Sequence, residues 1–241
     1  MAATSVIYRR ELGAYIRSPW NWAFVAGTLL ISGILLWAFA MKGELLSAQV
    51  LERFFLTTSL VVGVTAGVLS FRLIAEDRQS GALVLLNTSP VRETSIVLGK
   101  YLAALTFLAL TVALTAYIPL LIKLAGKVTI TQIVVGCVGL LLFSGTVLAI
   151  GLFASALSPN QVIAAVITAV IAIGMGQFYQ LAGALEDPLR GVFMDLDLWM
   201  VHFQQGAGRG VIHLKDVVYY GAVTYFFLLL AVKTLEAKRW Q

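Results

Sequence analysis

The chain has 241 residues, of which 60% are apolar and 12% charged. A soluble domain carries about 45–50% and about 25% respectively, so this chain has too few charges to cover a water-facing surface, and lipid must be most of its solvent. The net charge of +5 is dispersed along the chain, which argues against a nucleic-acid surface and leaves the basic excess as a topology signal.

Residues 1–19 lack the basic start, apolar stretch and small-residue cleavage site of a signal peptide. Val6, Ile7, Leu12, Tyr15 and Ile16 alternate with Arg9, Arg10, Glu11 and Arg17 at roughly helical spacing. The pattern predicts an interfacial amphipathic helix with its apolar face toward the membrane; a frayed basic terminus is the plainer alternative. Ser18-Pro19-Trp20 ends the helix and puts an aromatic at the membrane edge.

Six apolar stretches follow, over residues 21–41, 55–74, 94–122, 130–157, 161–185 and 217–235. A span needs about 20 residues, so the loops are short and no soluble enzyme domain fits between them. The third and fourth stretches exceed that length and are expected to tilt or project. The chain therefore reads as one all-α integral membrane domain, 1–241, with six transmembrane helices. Cys137, the single cysteine, lies inside an apolar run as a small core residue.

With the N-terminus inside, the inner segments hold ten of the 17 Lys and Arg and the outer segments seven. The bias favours both termini in the cytoplasm of a plasma (inner) membrane, multi-pass topology. Residues 71–93 then form an inner segment, and residues 186–216 an outer one. The outer segment mixes Leu196, Leu198, Trp199, Val201 and Phe203 with the glycine-rich run at 206–210, which predicts short helices or a re-entrant piece at the outer surface. His202 and His213 are read there as surface histidines, and no metal site is expected.

The inner segment runs from the charged residues Glu76, Asp77 and Arg78 through Ser80-Gly81 into Leu83, Leu85 and Leu86, stopping at Ser89-Pro90. A loop that only joined two spans would be polar throughout. Leucines between charges at the membrane edge need headgroups or a groove on another protein, and a short amphipathic helix in a groove is a recurrent recognition mode.

Several elements resemble permeases of the type-2 ABC exporter family, the gliding-motility-associated group above all. They are the acidic pair with Arg78, Ser80-Gly81 and Leu83, the later Pro90, and Gly99-Lys100-Tyr101. Arg10-Glu11-Leu12 with Ser18-Pro19, and the run from Ala149 to Ser155, agree. Val84 departs from the pattern, standing where members often carry a second charge.

The resemblance implies a cytoplasmic coupling helix between spans two and three, with Glu76, Asp77, Arg78, Ser80, Gly81 and Leu83 facing an ABC ATPase subunit. It also implies a second permease chain, identical or related, and leaves room for an accessory extracytoplasmic subunit. ATP and magnesium would be bound by the partner, with no cofactor in this chain. Gly99-Lys100 and Gly126-Lys127 are followed by Tyr101 and Val128, so neither supplies the hydroxyl of a Walker motif, and the subunit is not expected to be an enzyme.

Ser59, Gly63, Gly67 and Ser70 lie near one face of the second span, and Gly151 and Ser155 repeat the pattern in the fourth. Such faces let helices approach closely in lipid. Buried charge is almost absent from the spans, which argues against ion coupling. Gln177 and Gln180 are candidate pore-lining residues at the outer end of span five, a polar outer mouth being the alternative. An intramembrane protease finds no motif: Leu142-Phe143-Ser144-Gly145 has Leu where a rhomboid needs Gly. A scaffold that recruits an ATPase to surface machinery without moving a solute fits the same segment. Apolar walls suit lipids, hydrophobic drugs, peptides or polysaccharide intermediates alike.

Overall fold

A computed structural model of the protein describes residues 2–40, 46–79 and 92–239, and every regular element among them is helical. Helix α1 is Ala2–Arg17. Pro19, whose missing N–H is harmless in a first turn, opens α2 (Pro19–Leu35), which finishes in a π turn at Leu36–Ala40. Then come α3 (Ser47–Gln79) and α4 (Glu93–Thr115). Helix α5 (Tyr117–Ala125) continues α4 after a break at Ala116. Pro119 in its first turn can offer no N–H to the end of α4, which accounts for the break.

Helix α6 (Ile130–Leu157) starts from a capping box, in which Thr129 accepts from the Gln132 amide and Gln132 returns the bond to the Thr129 amide. Helix α7 is Gln161–Gly176 and α8 is Phe178–Ala182. Helix α9 (Leu189–Asp195), a π turn at Met200–Gln204 and a 3-10 turn at Ala207–Arg209 precede α10 (Leu214–Arg239).

Among the described residues, five helices are long and apolar enough to cross a membrane: Pro19–Phe39, Ser47–Gln79, Glu93–Leu124, Ile130–Leu157 and Leu214–Lys238. The fifth predicted stretch differs. Instead of one helix over residues 161–185, the chain forms the 16-residue α7 and the short α8. Sixteen residues reach about 24 Å at 1.5 Å each, short of the roughly 30 Å hydrocarbon core. Gly174 and Gly176 weaken the helix there, and a buried carboxylate captures the next amide. Asp197 accepts from Tyr179 N at 3.0 Å, and also from Trp199 N at 3.1 Å and Val201 N at 3.0 Å. The Leu198 amide closes the turn by donating to Met175 O at 3.0 Å.

The segment after α9 thus folds back between α3 and α6. Leu198 and Phe203 are buried, the Phe203 ring lies 5.6 Å from Phe143, and Trp199 Nε1 donates to Ser59 Oγ at 2.9 Å. Ala207 presses against Gly139, where any Cβ would overlap it.

Helices α3 and α6 form the centre. In α6, 67% of the most apolar window is buried and in α3 56%, against 17% for α2 and for α10, which sit at the edge. The small residues of α3 meet close neighbours: Gly63 faces Phe143, Gly67 faces Thr168, and Ser70 faces Gly151. A Cβ at Gly151 would overlap the Ser70 hydroxyl, so the two backbones approach closely only because that position is bare. The threonines of α4 behave as ordinary helix residues. Thr106, Thr111 and Thr115 donate to Leu102, Phe107 and Val112 carbonyls respectively.

Candidate coupling site

Helix α1 packs along the first turns of α4. Ile7 covers Gly99, Tyr8 Oη lies 3.2 Å from Thr106 Oγ1, and the Tyr15 ring stacks on Phe107 with centroids 5.5 Å apart. This register carries Glu11 over Lys100. The charged residues expected for an interfacial helix therefore divide: Arg9, Arg10 and Arg17 are exposed, whereas Glu11 turns inward.

Lys100 Nζ stands 3.1 Å from Glu11 Oε1 and 2.8 Å from Asp77 Oδ2. The three side chains are 3%, 15% and 17% exposed respectively. An ammonium has three donors on a compact head, so one lysine can serve two carboxylates on different helices. Arg10 adds a second cation, 2.6 Å from Glu11 Oε1, on the outer side of the cluster. Burial alone would push the Glu11 carboxyl up, but Lys100 and Arg10 together hold it below the ordinary carboxylate range. The Tyr15 hydroxyl beside it is pushed up by burial and, secondarily, by the Glu11 charge.

The other charged residues at the end of α3 take separate partners. Glu76 points outward and receives two bonds from Arg72, each 3.1 Å, one turn back on the same helix. Arg78 reaches α6 instead, donating to Ala156 O at 3.1 Å and to Ser158 O. Lys238 of α10 joins it there, donating to Ala156 O at 3.1 Å and Leu157 O at 2.7 Å. Two cations on the last carbonyls of α6 satisfy acceptors the helix cannot pair itself and complement its negative end. Glu76, Asp77 and Arg78 thus turn to three different places, tying the end of α3 to α4 and α6. Ser80, Gly81 and Leu83 lie outside the described residues.

One cavity borders this arrangement, and a second lies elsewhere along α3. The first, of about 350 Å³, has mixed polar and apolar walls and opens beside the network, lined by Glu11, Asn21, Asp77 and Lys100 together with Phe24 and Leu69 among others. The second, of about 370 Å³, is an apolar groove between α3, α6 and α7. Gln177 lines that groove together with Ser59 and Trp199. Gln180 does not; it is exposed beyond the break after α7. The two candidate pore-lining residues are therefore not brought together.

Two features depart from the sequence reading. Lys100 is a buried charge inside the third apolar stretch, where buried charge was expected to be nearly absent. A lone lysine six residues into an apolar run was visible, but its carboxylate partners lie 23 and 89 residues away, and no local period links them. His202, expected at the surface, is buried at 5% exposure. Its Nδ1 is 2.8 Å from Asp216 Oδ1, its Nε2 is 3.1 Å from Asp195 O, and its ring stacks 3.9 Å from Tyr219. His213 is exposed, as expected.

Long apolar helices around an α3–α6 centre, with a charged junction where α1, α3 and α4 meet, define a polytopic membrane protein. The family described as ABC-2 family transporter protein matches residues 5–192, from α1 into α9. The chain belongs to that family, and so is a transmembrane permease component of an ABC transporter, whose family implies an ABC ATPase as partner. Among curated proteins no match to the chain is found.

Proposed function

We propose that the protein is the pore-forming subunit of an ATP-driven exporter in the plasma (inner) membrane, with both termini cytoplasmic, and that residues 71–93 couple it to a separate ATPase. The observation that carries this reading is the Asp77–Lys100–Glu11 junction. Asp77, the inward-facing member of the acidic pair in that segment, is joined through one buried ammonium to α4 and α1. A push on that segment would then be felt by three helices at once. Glu76, more exposed, and the adjoining Ser80, Gly81 and Leu83 are the proposed ATPase-facing residues.

In this mechanism an ATPase dimer grips the coupling segments of two permease chains, and its closure on ATP biases the helices between inward and outward arrangements. A two-fold ATPase favours a two-fold pore, built from identical or related chains. The apolar groove with Gln177 at one end is the proposed wall of the path. The element order at residues 76–101 supports kinship with the gliding-motility-associated group.

The test is affinity capture of the tagged chain from native membranes in mild detergent, with partners identified by mass spectrometry. Recovery of a Walker-containing ATPase, lost on the double charge reversal E76K/D77K, is the expected result. Repeated recovery of the permease without any ATPase would overturn the reading. An ATPase that is recovered but never stimulated by the permease would favour a scaffold instead.

A further inference from the structure

His202 is a buried titratable group that the coupling site does not use. It stands on the π turn Met200–Gln204, and both of its ring nitrogens face oxygen atoms. Nδ1 is 2.8 Å from Asp216 Oδ1 in the first turn of α10, and Nε2 is 3.1 Å from Asp195 O at the end of α9. The two side chains are only 7% and 4% exposed, so water is no ready substitute for either bond. A backbone carbonyl can only accept, so Nε2 must carry a hydrogen to bond it. The contact between Nδ1 and Oδ1 needs one hydrogen as well, on the ring or on the carboxyl group. The arrangement therefore places two protons on the pair, however they are divided between its members.

The surroundings suit that state. The Tyr219 ring stacks on the imidazole at 3.9 Å and Tyr220 presents an edge at 6.3 Å, and an aromatic face favours a cation above it. The second Asp216 oxygen lies against bare Gly206, where a Cβ would come within 2.9 Å of it. Helix α6 meets this turn through Phe143 and Gly139, neither of which titrates. The neighbouring carboxylate of Asp197 is occupied by three backbone amides.

Loss of one proton breaks a particular bond. The hydrogen that remains stays on Nδ1, because a bond to an ionised carboxylate outweighs one to a neutral carbonyl. Nε2 then turns a lone pair toward the Asp195 carbonyl, and two acceptors face each other. The part able to give way is α9, none of whose residues is buried. The chain just beyond it is anchored without the pair: Tyr219 Oη donates to Leu196 O at 2.8 Å, and Tyr220 Oη to Leu198 O at 2.9 Å. A pivot at Leu196 follows. A further tie on α9 is the Phe193 ring, edge-on to Phe178 at 5.3 Å and next in sequence to Gln177 in the apolar groove.

We propose that His202 and Asp216 form a proton-operated latch: with two protons the pair holds α9 against α10, and with one it lets α9 swing about Leu196. The latch itself rests on geometry. Its purpose rests on the permease reading, in which residues 186–216 face outward and the groove is the wall of the path. Release of α9 then draws Phe193 away from Phe178 and uncovers the groove end at Gln177, so that the outer mouth responds to the pH outside.

Pulsed electron resonance between spin labels at V192C on α9 and V218C on α10 tests this, in the full chain carrying C137A in nanodiscs. Spectra are taken at about pH 5.5 and about pH 8.5, on either side of the ordinary histidine range. The otherwise native chain should show one short distance in acid, and the ratio of short to longer distances should fall about tenfold at the higher pH. D216N should keep the short distance at both. The Asn amide donates to Nδ1 at any pH and leaves the Nε2 hydrogen for the Asp195 carbonyl. H202F should show the longer distance at both.

The latch is disproved if the distances of the otherwise native chain do not change with pH. It is equally disproved if D216N loses the short distance at the higher pH as fully as that chain does. Should H202F fail to fold, the D216N comparison decides alone. The measurement needs no ATPase, so failure to recover one would sink the exporter reading and leave the latch standing.

Discussion

Lys100 Nζ lies 2.8 Å from Asp77 Oδ2 and so fastens the start of α4 to the end of α3. The same ammonium is 3.1 Å from Glu11 on α1. Removing one partner from a buried ionic cluster leaves uncompensated charge, and here it would leave two carboxylates facing each other. K100M should therefore destabilise the protein by about 2–4 kcal/mol, somewhat below the usual range for a buried pair because both carboxylates are partly exposed. Thermal unfolding in nanodiscs measures the loss. A D77N/K100M double variant should recover part of it, since it removes one of the stranded charges.

Acid should open the same junction from the α1 side. The Glu11 carboxyl is held below its ordinary value of 4.5. Its contribution is therefore complete above about that pH and is lost as pH falls through the lower folded value. Stability should be flat in this respect from neutral pH down to the ordinary carboxylate range and fall below it. E11Q should remove that acid limb while lowering stability at neutral pH. Unfolding midpoints of both proteins across an acid series check the sign.

Much of this architecture was legible in the sequence, and the reasons differ element by element. Long apolar runs announce spans because the backbone must pair internally in lipid, and helix Ile130–Leu157 has the bounds that its apolar run gives. The break after α7 was not legible. It depends on Asp197, 18 residues beyond the Tyr179 amide it accepts. The charged end of α3 could be found from its acidic pair and arginine, but their partners could not. Arg78 finds its carbonyls about 80 residues away, and Asp77 its ammonium on the next span. Period and composition report which face of a helix is apolar, whereas these contacts are set by how helices far apart in the chain are brought together.

Close approach of α3 and α6 should be sensitive to a single methyl group. A Cβ at Gly151 would overlap Ser70 Oγ, and the α3–α6 interface has little room to yield. G151A should destabilise by about 1–3 kcal/mol, the usual cost of overpacking. S70G in the same chain should restore most of it, because the clash is with that side chain rather than with backbone. The Ser70 hydroxyl bonds only its own helix, at Gly67 O, so its loss costs little. Unfolding midpoints of the two single variants and the double variant provide the cycle.

The buried carboxylate of Asp197 organises the opposite end of the molecule. It accepts amides from Tyr179, Trp199 and Val201, using both oxygens. Asn is nearly the same size, but one of its two ends is an NH2 that cannot accept a hydrogen bond. D197N must leave at least one of the three amides facing a donor, at a cost of about 1–3 kcal/mol for an unsatisfied buried group. The segment from Leu198 to Arg209 should then lift from between α3 and α6, carrying the Trp199 indole off Ser59. Trypsin should cut after Arg209 faster in D197N than in the wild type, while the distant α1–α4 junction keeps its protection. Equal cleavage rates in the two proteins would mean that the segment is held by Phe203, Leu198 and Ala207 packing, and that the carboxylate only shapes the turn.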